Sequence, residues 1–234
     1  MSIVNTFSLQ SNRQIKINFD GGDLSSDAEL LLIKEFAAKI GFTKLIEKKF
    51  KTNDKSIRFH KDYENLLQMI YQVISAYFHD DCADELTLDP VFNIILDKES
   101  LASQPTLSRF FNRMDEDTLI QFDDIDKNLR NIIYSIKRPE HMLLDLDSTL
   151  FGTYGKQEGE GFNFHYQAHG YHPLLCYDGL TGDLIKAELR DGTLYCSNGA
   201  DKFMKSIFQE YLERGIKTYL RGDSGFASPK LYET

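Results

Sequence analysis

Residues 142–155, MLLDLDSTLFGTYG, place two aspartates, Asp145 and Asp147, inside an apolar run that ends in Ser-Thr and glycine. Side chains alternate across a strand, so both aspartates would share one face with Leu143 while the neighbouring Met and Leu side chains face the other way. Charged groups are rarely buried fully unless they are paired or bind a metal. The stretch therefore predicts a strand with a polar face and with Asp147 at its carboxyl end, where sites gather in α/β sheets.

A second carboxylate has the same setting near the end of the sequence. Asp223 follows an apolar strand pattern in residues 218–226, TYLRGDSGF, and again stands beside Ser-Gly. If the two strands are neighbours, Asp147 and Asp223 would meet and suit Mg²⁺ (or Mn²⁺), because hard cations prefer oxygen ligands. The alternative is that both aspartates only cap turns, where Asp is favoured.

The spacing of apolar residues divides the chain near residue 137. Residues 1–136 are mostly helical in pattern; over residues 62–81, apolar side chains recur at helical spacing as far as Phe78, which predicts a core helix opened by Asp62. Residues 137–234 show the order strand, strand, strand, helix, strand. The pattern predicts an α+β or α/β protein with a mostly helical first domain and a mixed sheet in the second.

Composition excludes several classes of protein. The chain of 234 residues is 41% hydrophobic, which suits a folded core, and its start has no apolar segment typical of a secretory signal. No apolar run approaches the ~20 residues of a membrane span. The cysteines form neither a disulfide framework nor a CxxC zinc site; they are Cys82, Cys176 and Cys196. A reducing cytoplasm is the expected compartment.

Three histidines lie close together in sequence and precede a cysteine. His165, His169 and His172 with Cys176 are a conceivable zinc site. The segment is rich in aromatic residues and strand-like, so packing or surface positions are the favoured interpretation.

Basic residues are unevenly distributed in a chain whose net charge is −9. Between Lys34 and Lys61 there are nine Lys or Arg and three acidic residues, which predicts either a solvated helix face or a phosphate-contacting patch. Residues 103–114, SQPTLSRFFNRM, could form a DNA-reading helix, or an ordinary core helix, or both. The candidate DNA-contacting residues are Lys48, Lys49 and Lys51 in the patch, and Arg109 and Arg113, one turn apart, in the second segment.

Several short motifs occur in one order along the chain. They are DLDST at 145–149, GKQEG at 155–159, YHPLL at 171–175, AELRDG at 187–192 and RGDSGF at 221–226, with LASQPTLSRFFNR at 101–113 upstream. Together they resemble the DDE transposases of bacterial insertion sequences, in particular the thirteen-eighty family, over roughly residues 60–234. Each motif is weak alone, whereas the ordered set is specific.

The resemblance implies a fold, a reaction and a set of partners. It implies a ribonuclease-H-like core in which Asp147 and Asp223 bind Mg²⁺ (or Mn²⁺), with Asp145 as a supporting group or an alternative ligand. The family reaction is cut-and-paste DNA transposition: phosphodiester hydrolysis at the element ends, then strand transfer by the freed 3′-hydroxyl. The implied partners are the terminal inverted repeats, target DNA and further copies of the chain in the active complex, within the bacterial cytoplasm and close to the nucleoid. No membrane partner is implied.

The sequence also departs from the family pattern. The family needs a third acidic residue, a glutamate on a helix well downstream, and Glu233 follows Asp223 too closely to serve. We therefore expect the chain to correspond to the amino-terminal portion of a transposase and to be inactive on DNA by itself.

Two other classes of protein remain as alternatives. Residues 145–149 also fit the D-x-D-x-T motif of haloacid-dehalogenase-like phosphatases, in which Asp145 would be the nucleophile and Asp147 the acid/base. That fold needs a mainly parallel sheet, whereas residues 171–190 have the pattern of an antiparallel hairpin. The second alternative is a non-enzymatic helical DNA-binding module.

Overall fold

The computed structural model describes residues 6–18, 26–87 and 89–234. The chain divides into two compact units, Met1–Ser135 and Ile136–Thr234, which we call the N-terminal and C-terminal units. In the described part of the chain, every helix lacks the length or the apolar character needed to cross a membrane.

The N-terminal unit is mostly helical, as predicted. A small antiparallel hairpin of β1 (Thr6–Ser8) and β2 (Lys16–Asn18) precedes the helices. The helices are α1 (Leu30–Ile40), α2 (Phe42–Lys49), α3 (Asp62–Ile74), α4 (Cys82–Leu86), α5 (Pro90–Leu96), α6 (Gln104–Phe111) and α7 (Glu116–Ile136), whose end reaches the boundary between the units.

Helix α3 begins at the predicted residue but ends earlier than predicted. Its start at Asp62 is stabilised because the Glu64 carboxylate accepts the backbone N–H of Lys61 at 2.9 Å. The helix ends at Ile74, and Ala76 adopts the left-handed conformation with φ of 64°, which cannot continue a right-handed helix. Phe78 is consequently 71% exposed, so its predicted place on the core face is wrong.

The first half of α3 supplies the packing that joins the helices around it. Its two adjacent leucines are buried in one apolar cluster with side chains from α2, the segment after it, α6 and α7: Ile46, Phe50, Leu66, Leu67, Phe110 and Ile125. This cluster fixes α6, which carries the candidate DNA-contacting arginine Arg109, against α3.

The C-terminal unit contains two sheets, one long helix and a short helix. Its elements are β3 (His141–Ser148), β4 (Phe151–Gly152), β5 (Gly161–Asn163), β6 (Ala168–Tyr171), β7 (Leu174–Asp178), β8 (Leu184–Glu188), α8 (Ala200–Glu213), β9 (Lys217–Gly222) and α9 (Pro229–Tyr232), with a 3₁₀ turn at Ser224–Phe226 before α9. A three-stranded antiparallel sheet of order β4-β6-β5 is inserted between β3 and β7.

The main sheet has the mixed topology that the sequence pattern predicts. Its order is β8-β7-β3-β9, with β3 antiparallel to β7, β7 antiparallel to β8, and β3 parallel to β9. Helix α8 lies between β8 and β9 in sequence and packs against both strands. In chain order, the first strand of this sheet, β3, is therefore internal and the fourth, β9, lies parallel beside it, so the predicted ribonuclease-H-like core with a mixed sheet is confirmed.

One face of the central strand is buried and the other is open. Leu144 and Leu146 are 0% and 3% exposed, whereas Asp145 is intermediate and Asp147 is exposed. The alternation follows the predicted period of two, because successive side chains of a strand point to opposite faces.

Candidate active site

The carboxyl ends of β3 and β9 bring the two predicted aspartates together. These strands pair in parallel up to Leu146 and Gly222; Asp147 is the next residue of β3, and Asp223 is the first residue after β9. Neighbouring strands are about 4.8 Å apart, and residues in register on parallel strands face the same side. Both aspartates are exposed and lie at the ends of neighbouring strands, at the same edge of the sheet.

Each of these carboxylates is held by a backbone N–H of its own turn. Oδ1 of Asp147 accepts the N–H of Ser148 at 2.8 Å, and Oδ1 of Asp223 accepts the N–H of Gly225 at 2.8 Å. Within the described residues, Oδ2 of either aspartate has no hydrogen-bond partner. An arrangement of two fixed carboxylates, each with a free oxygen, fits a hard divalent cation. The described residues contain no group of three or more His, Cys, Asp or Glu side chains that could hold a metal ion.

Asp145, two residues before Asp147, is engaged in an ion pair across the same two strands. Arg221 Nε donates to Asp145 Oδ1 at 2.6 Å, and Arg221 Nη2 bonds Oδ2. This hydrogen bonding and the charge of the aspartate raise the pKa of the Arg221 guanidinium. Because both oxygens of Asp145 are occupied, the geometry favours its predicted role as a supporting group over its role as an alternative metal ligand.

A close backbone approach covers this ion pair. A Cβ added at Gly179 would lie 2.5 Å from Oδ2 of Asp145 and 3.1 Å from Nη2 of Arg221. The backbone N–H of Gly179 donates to the carbonyl of Leu143 at 2.7 Å, which fixes the turn after β7 over the pair. The hairpin pattern of residues 171–190 gave no indication of this contact.

The sequence analysis also did not identify a buried hydrogen-bond network next to Asp147. Ser148 and His172 are 8% and 2% exposed, and Ser148 Oγ lies 2.7 Å from His172 Nε2. Arg190 is 6% exposed, and its Nε donates to the carbonyl of His172 at 2.9 Å. His172 belongs to the motif YHPLL and Arg190 to the motif AELRDG. Their place in these ordered motifs was the one feature of the sequence that could have indicated a role near the site.

The remaining histidines have individual partners. His169 Nδ1 lies 2.9 Å from Glu160 Oε2, and the ring of His165 packs edge-on against Tyr166. The favoured interpretation of the three histidines, packing or surface positions, is consistent with these contacts.

The candidate DNA-contacting residues of the N-terminal unit differ in their solvent exposure and in their ion pairs. Lys48, Lys51 and Arg109 are exposed. Lys49 forms an ion pair with Asp124 at 2.6 Å, in which the two side chains are 33% and 45% exposed. A pair this open contributes little energy, and a phosphate could replace the carboxylate.

Arg113 is held much more firmly than the other four. Its Nη2 lies 2.9 Å from Asp62 Oδ1, and the two side chains are only 15% and 11% exposed. Its Nη1 donates to the carbonyl of Arg109 at 2.9 Å. Arg113 therefore joins the end of α6 to the start of α3, which makes its role structural in the free protein.

An open cavity of about 640 Å³ lies beside these arginines in the N-terminal unit. It is lined by basic, polar and aromatic side chains: Asp54, Ser56, Arg58, Phe59, His60, Thr106, Arg109 and Arg113. The pKa of His60 is lowered, first by burial and then by the charge of Lys98. His60 is therefore less readily protonated than a free histidine.

The sheet order and the paired strand-end carboxylates define the class of the C-terminal unit as a ribonuclease-H-like domain. The model of the family "Transposase DDE domain group 1" matches residues 7–234, and the chain belongs to that family. The sheet is not the mainly parallel one of haloacid-dehalogenase-like phosphatases, and the nucleophile of that alternative, Asp145, is bound on both oxygens by Arg221.

Three solved structures that are similar to the chain are transposase complexes. The piggyBac transposase synaptic complex with hairpin DNA is 14% identical, with 83% of this chain and 44% of that chain covered and a TM-score of 0.39. The Mos1 transposase paired-end complex with the left transposon end is 10% identical, with 92% and 66% covered and a TM-score of 0.27. The Mos1 mariner paired-end complex with Mn is 12% identical, with the same coverage and a TM-score of 0.28. No curated protein matches the sequence.

Proposed function

We propose that this chain provides the first two catalytic carboxylates of a cut-and-paste transposase, which cleaves DNA at the ends of an insertion sequence and transfers the freed strand to target DNA. The observation that carries the proposal is the register of β3 and β9, which brings Asp147 and Asp223 to adjacent strand ends. Membership of the transposase DDE domain family supports the transposase class. The ordered motifs support the narrower assignment to the thirteen-eighty family.

Asp147 and Asp223 are the residues that would hold Mg²⁺ (or Mn²⁺). When bound, the ion activates the attacking oxygen and stabilises the charge of the leaving oxygen in phosphodiester cleavage. The protein's contribution is to fix one oxygen of each carboxylate through the N–H groups of Ser148 and Gly225, which leaves the other oxygen for the cation. The Asp145–Arg221 ion pair would keep the two strands in register beneath these ligands.

DNA is the proposed partner, both as terminal inverted repeats and as target. The exposed residues Lys48, Lys51 and Arg109 would contact phosphates, and Lys49 would do so by exchanging Asp124 for a phosphate. Similar chains have been solved with hairpin DNA and with a transposon end. The chain spans 44% of the length of the piggyBac chain and 66% of the length of the Mos1 chains. We also propose that the active complex contains more than one copy of the chain.

The experiment measures binding and cleavage of linear DNA that carries the element's ends. We expect Mn²⁺ to tighten DNA binding by the wild-type 234-residue polypeptide but not by Asp147→Asn or Asp223→Asn. Equal tightening in the wild type and both variants would contradict the proposed site.

The same reactions test the expectation that this polypeptide does not cut DNA alone. The motivating observation is that, within the described residues, no third metal-ligating side chain joins the two aspartates. We expect no nicking with Mg²⁺ or Mn²⁺. Metal-dependent nicking that disappears in Asp147→Asn would show that two carboxylates suffice.

A further inference from the structure

The loop of residues 190–198, between β8 and α8, packs on the turn that follows β9 and is joined to the carboxyl end of β3 through His172. Backbone pairing between β3 and β9 ends at Leu146 and Gly222, so the two aspartates lie just beyond the last pair of the ladder. Their relative position therefore needs support other than the sheet itself. The 190–198 loop packs on the turn that follows Asp223, and it is joined through His172 to Ser148, the residue that follows Asp147.

The contact with β3 runs through one buried serine and one buried histidine. His172 Nδ1 lies 2.8 Å from the carbonyl oxygen of Leu194, and its Nε2 lies 2.7 Å from Ser148 Oγ. Because a carbonyl oxygen only accepts, Nδ1 carries the proton, and in the neutral ring Nε2 accepts the hydroxyl hydrogen of Ser148. The backbone N–H of the same serine donates to Asp147 Oδ1. His172 and Ser148 thus connect the loop to the carboxylate of Asp147.

The shape of the loop is fixed from inside by Arg190. Its Nε donates to the carbonyl of His172, and its Nη1 donates to the carbonyls of Cys196 and Asn198. The backbone N–H of His172 donates a hydrogen bond of 3.0 Å to the carbonyl of Arg190. Burial lowers the pKa of the Arg190 guanidinium, and these carbonyl oxygens offset part of the cost of placing a cation there.

The contact with the turn after β9 is a close packing of Gly225 on Cys196. A Cβ added at Gly225 would lie 3.4 Å from both Cβ and Sγ of Cys196 and 2.9 Å from Oδ1 of Asp223. The N–H of this glycine is also the group that holds Asp223 Oδ1. The loop therefore reaches both residues whose N–H groups hold the carboxylates: Gly225 by direct packing of Cys196, and Ser148 through His172.

We propose that the 190–198 loop is a positioning element, which sets the separation and orientation of the Asp147 and Asp223 carboxylates through His172 on one side and Cys196 on the other. The positioning claim stands on these contacts; only its consequence for metal binding rests on the proposed function. Residues that orient metal ligands typically change metal affinity by about 10–100-fold when they are replaced.

The first test needs no metal ion. Amide hydrogen exchange is measured by NMR in the wild type, in Ser148→Ala and in His172→Asn. We expect exchange at residues 147–149 and 223–225 to accelerate about tenfold or more, the factor expected from one lost buried hydrogen bond, with Leu144 unchanged. Ser148→Thr keeps the hydroxyl and should remain close to the wild type, and His169→Gln is the matched histidine control outside the network.

Three outcomes of this test would overturn the proposal. They are unchanged exchange in the variants, a uniform acceleration along β3 that marks general destabilisation, and an acceleration confined to residues 147–149, which would show that the loop does not couple the two carboxylates.

The second test is the affinity for Mn²⁺ alone, measured by electron paramagnetic resonance. Ser148→Ala and His172→Asn should weaken binding about 10–100-fold, and His169→Gln should not change it. Normal affinity in both network variants, together with lost binding in Asp147→Asn, would refute the positioning role. If instead Asp147→Asn and Asp223→Asn bind Mn²⁺ as the wild type does, the proposed metal site fails, and the exchange experiment still decides the role of the loop.

Discussion

Replacement of Arg113 by alanine is expected to destabilise the N-terminal unit. Removing one partner of a buried ion pair costs about 3–5 kcal/mol, because the other charge remains buried. Here Asp62 keeps two hydrogen bonds from Thr52, at 3.0 and 2.6 Å, and Arg58 Nη1 lies 3.9 Å from its Oδ1. We therefore expect Arg113→Ala to lower the free energy of unfolding by about 2–3 kcal/mol, which corresponds to a fall in Tm of about 8–12 °C for a unit of this size.

The loss of stability should depend on pH through Asp62. Burial opposes ionisation of this carboxyl, but hydrogen bonds from Thr52 and Arg113 outweigh it and lower its pKa. A lowered folded-state pKa contributes stability that is fully present above the unfolded value of about 3.9 and is lost as the pH falls through the folded value. The difference between wild type and Arg113→Ala should thus be constant from pH 7 to pH 5 and shrink in more acidic solution.

Arg109→Ala is the matched control, because Arg109 is exposed on the preceding turn. Its stability should stay within about 0.5 kcal/mol of the wild type, while the slope of log K for DNA against log salt should flatten by about 0.9. Thermal melts by circular dichroism and fluorescence anisotropy at several salt concentrations measure the two effects. Equal melting temperatures of Arg113→Ala and Arg109→Ala would refute the structural role of Arg113.

Two further predictions concern the basic patch and the ion pair beneath the site. Charge reversal of Lys48 and Lys51 together should weaken DNA binding and flatten the salt slope by about 1.8, and an unchanged slope would remove the patch from the proposed interface. Gly179→Ala should destabilise the C-terminal unit by about 1–3 kcal/mol in chemical denaturation, because the new Cβ would meet the Asp145 carboxylate. Gly152→Ala, where a Cβ meets open space, is the control, and equal stability of these two variants would contradict the packing argument.

The strand pattern was readable from sequence because it depends on local periodicity. Alternation in residues 142–148 predicts which face of β3 is polar, and the turn residues after Asp147 and Asp223 predict strand ends. The Asp145–Arg221 pair was not predictable in this way, since it depends on the register of two strands whose paired residues are 76 positions apart. Register is set by the packing of the whole sheet, which a single sequence does not display.

The Ser148–His172 hydrogen bond and the end of helix α3 could not be predicted from the sequence for related reasons. The bond between Ser148 and His172 exists because β7 lies antiparallel to β3, and a histidine in an aromatic segment has no periodic signature of that role. Helix α3 ends early because Ala76 is left-handed, a conformation that alanine rarely adopts, so apolar spacing alone ran past the true end. In both cases the packing of the folded chain determines the feature, and the local sequence pattern does not contain it.

The central claim is that Asp147 and Asp223 share one divalent cation, and paramagnetic relaxation by Mn²⁺ in NMR spectra tests it most directly. Amide signals of residues 147–149 and 223–225 should broaden first as Mn²⁺ is added to the wild type. Asp147→Asn and Asp223→Asn should each abolish this broadening, and Asp201→Asn, at the start of α8, should leave it unchanged. Broadening centred elsewhere, or broadening at these residues that survives both single substitutions, would contradict the claim.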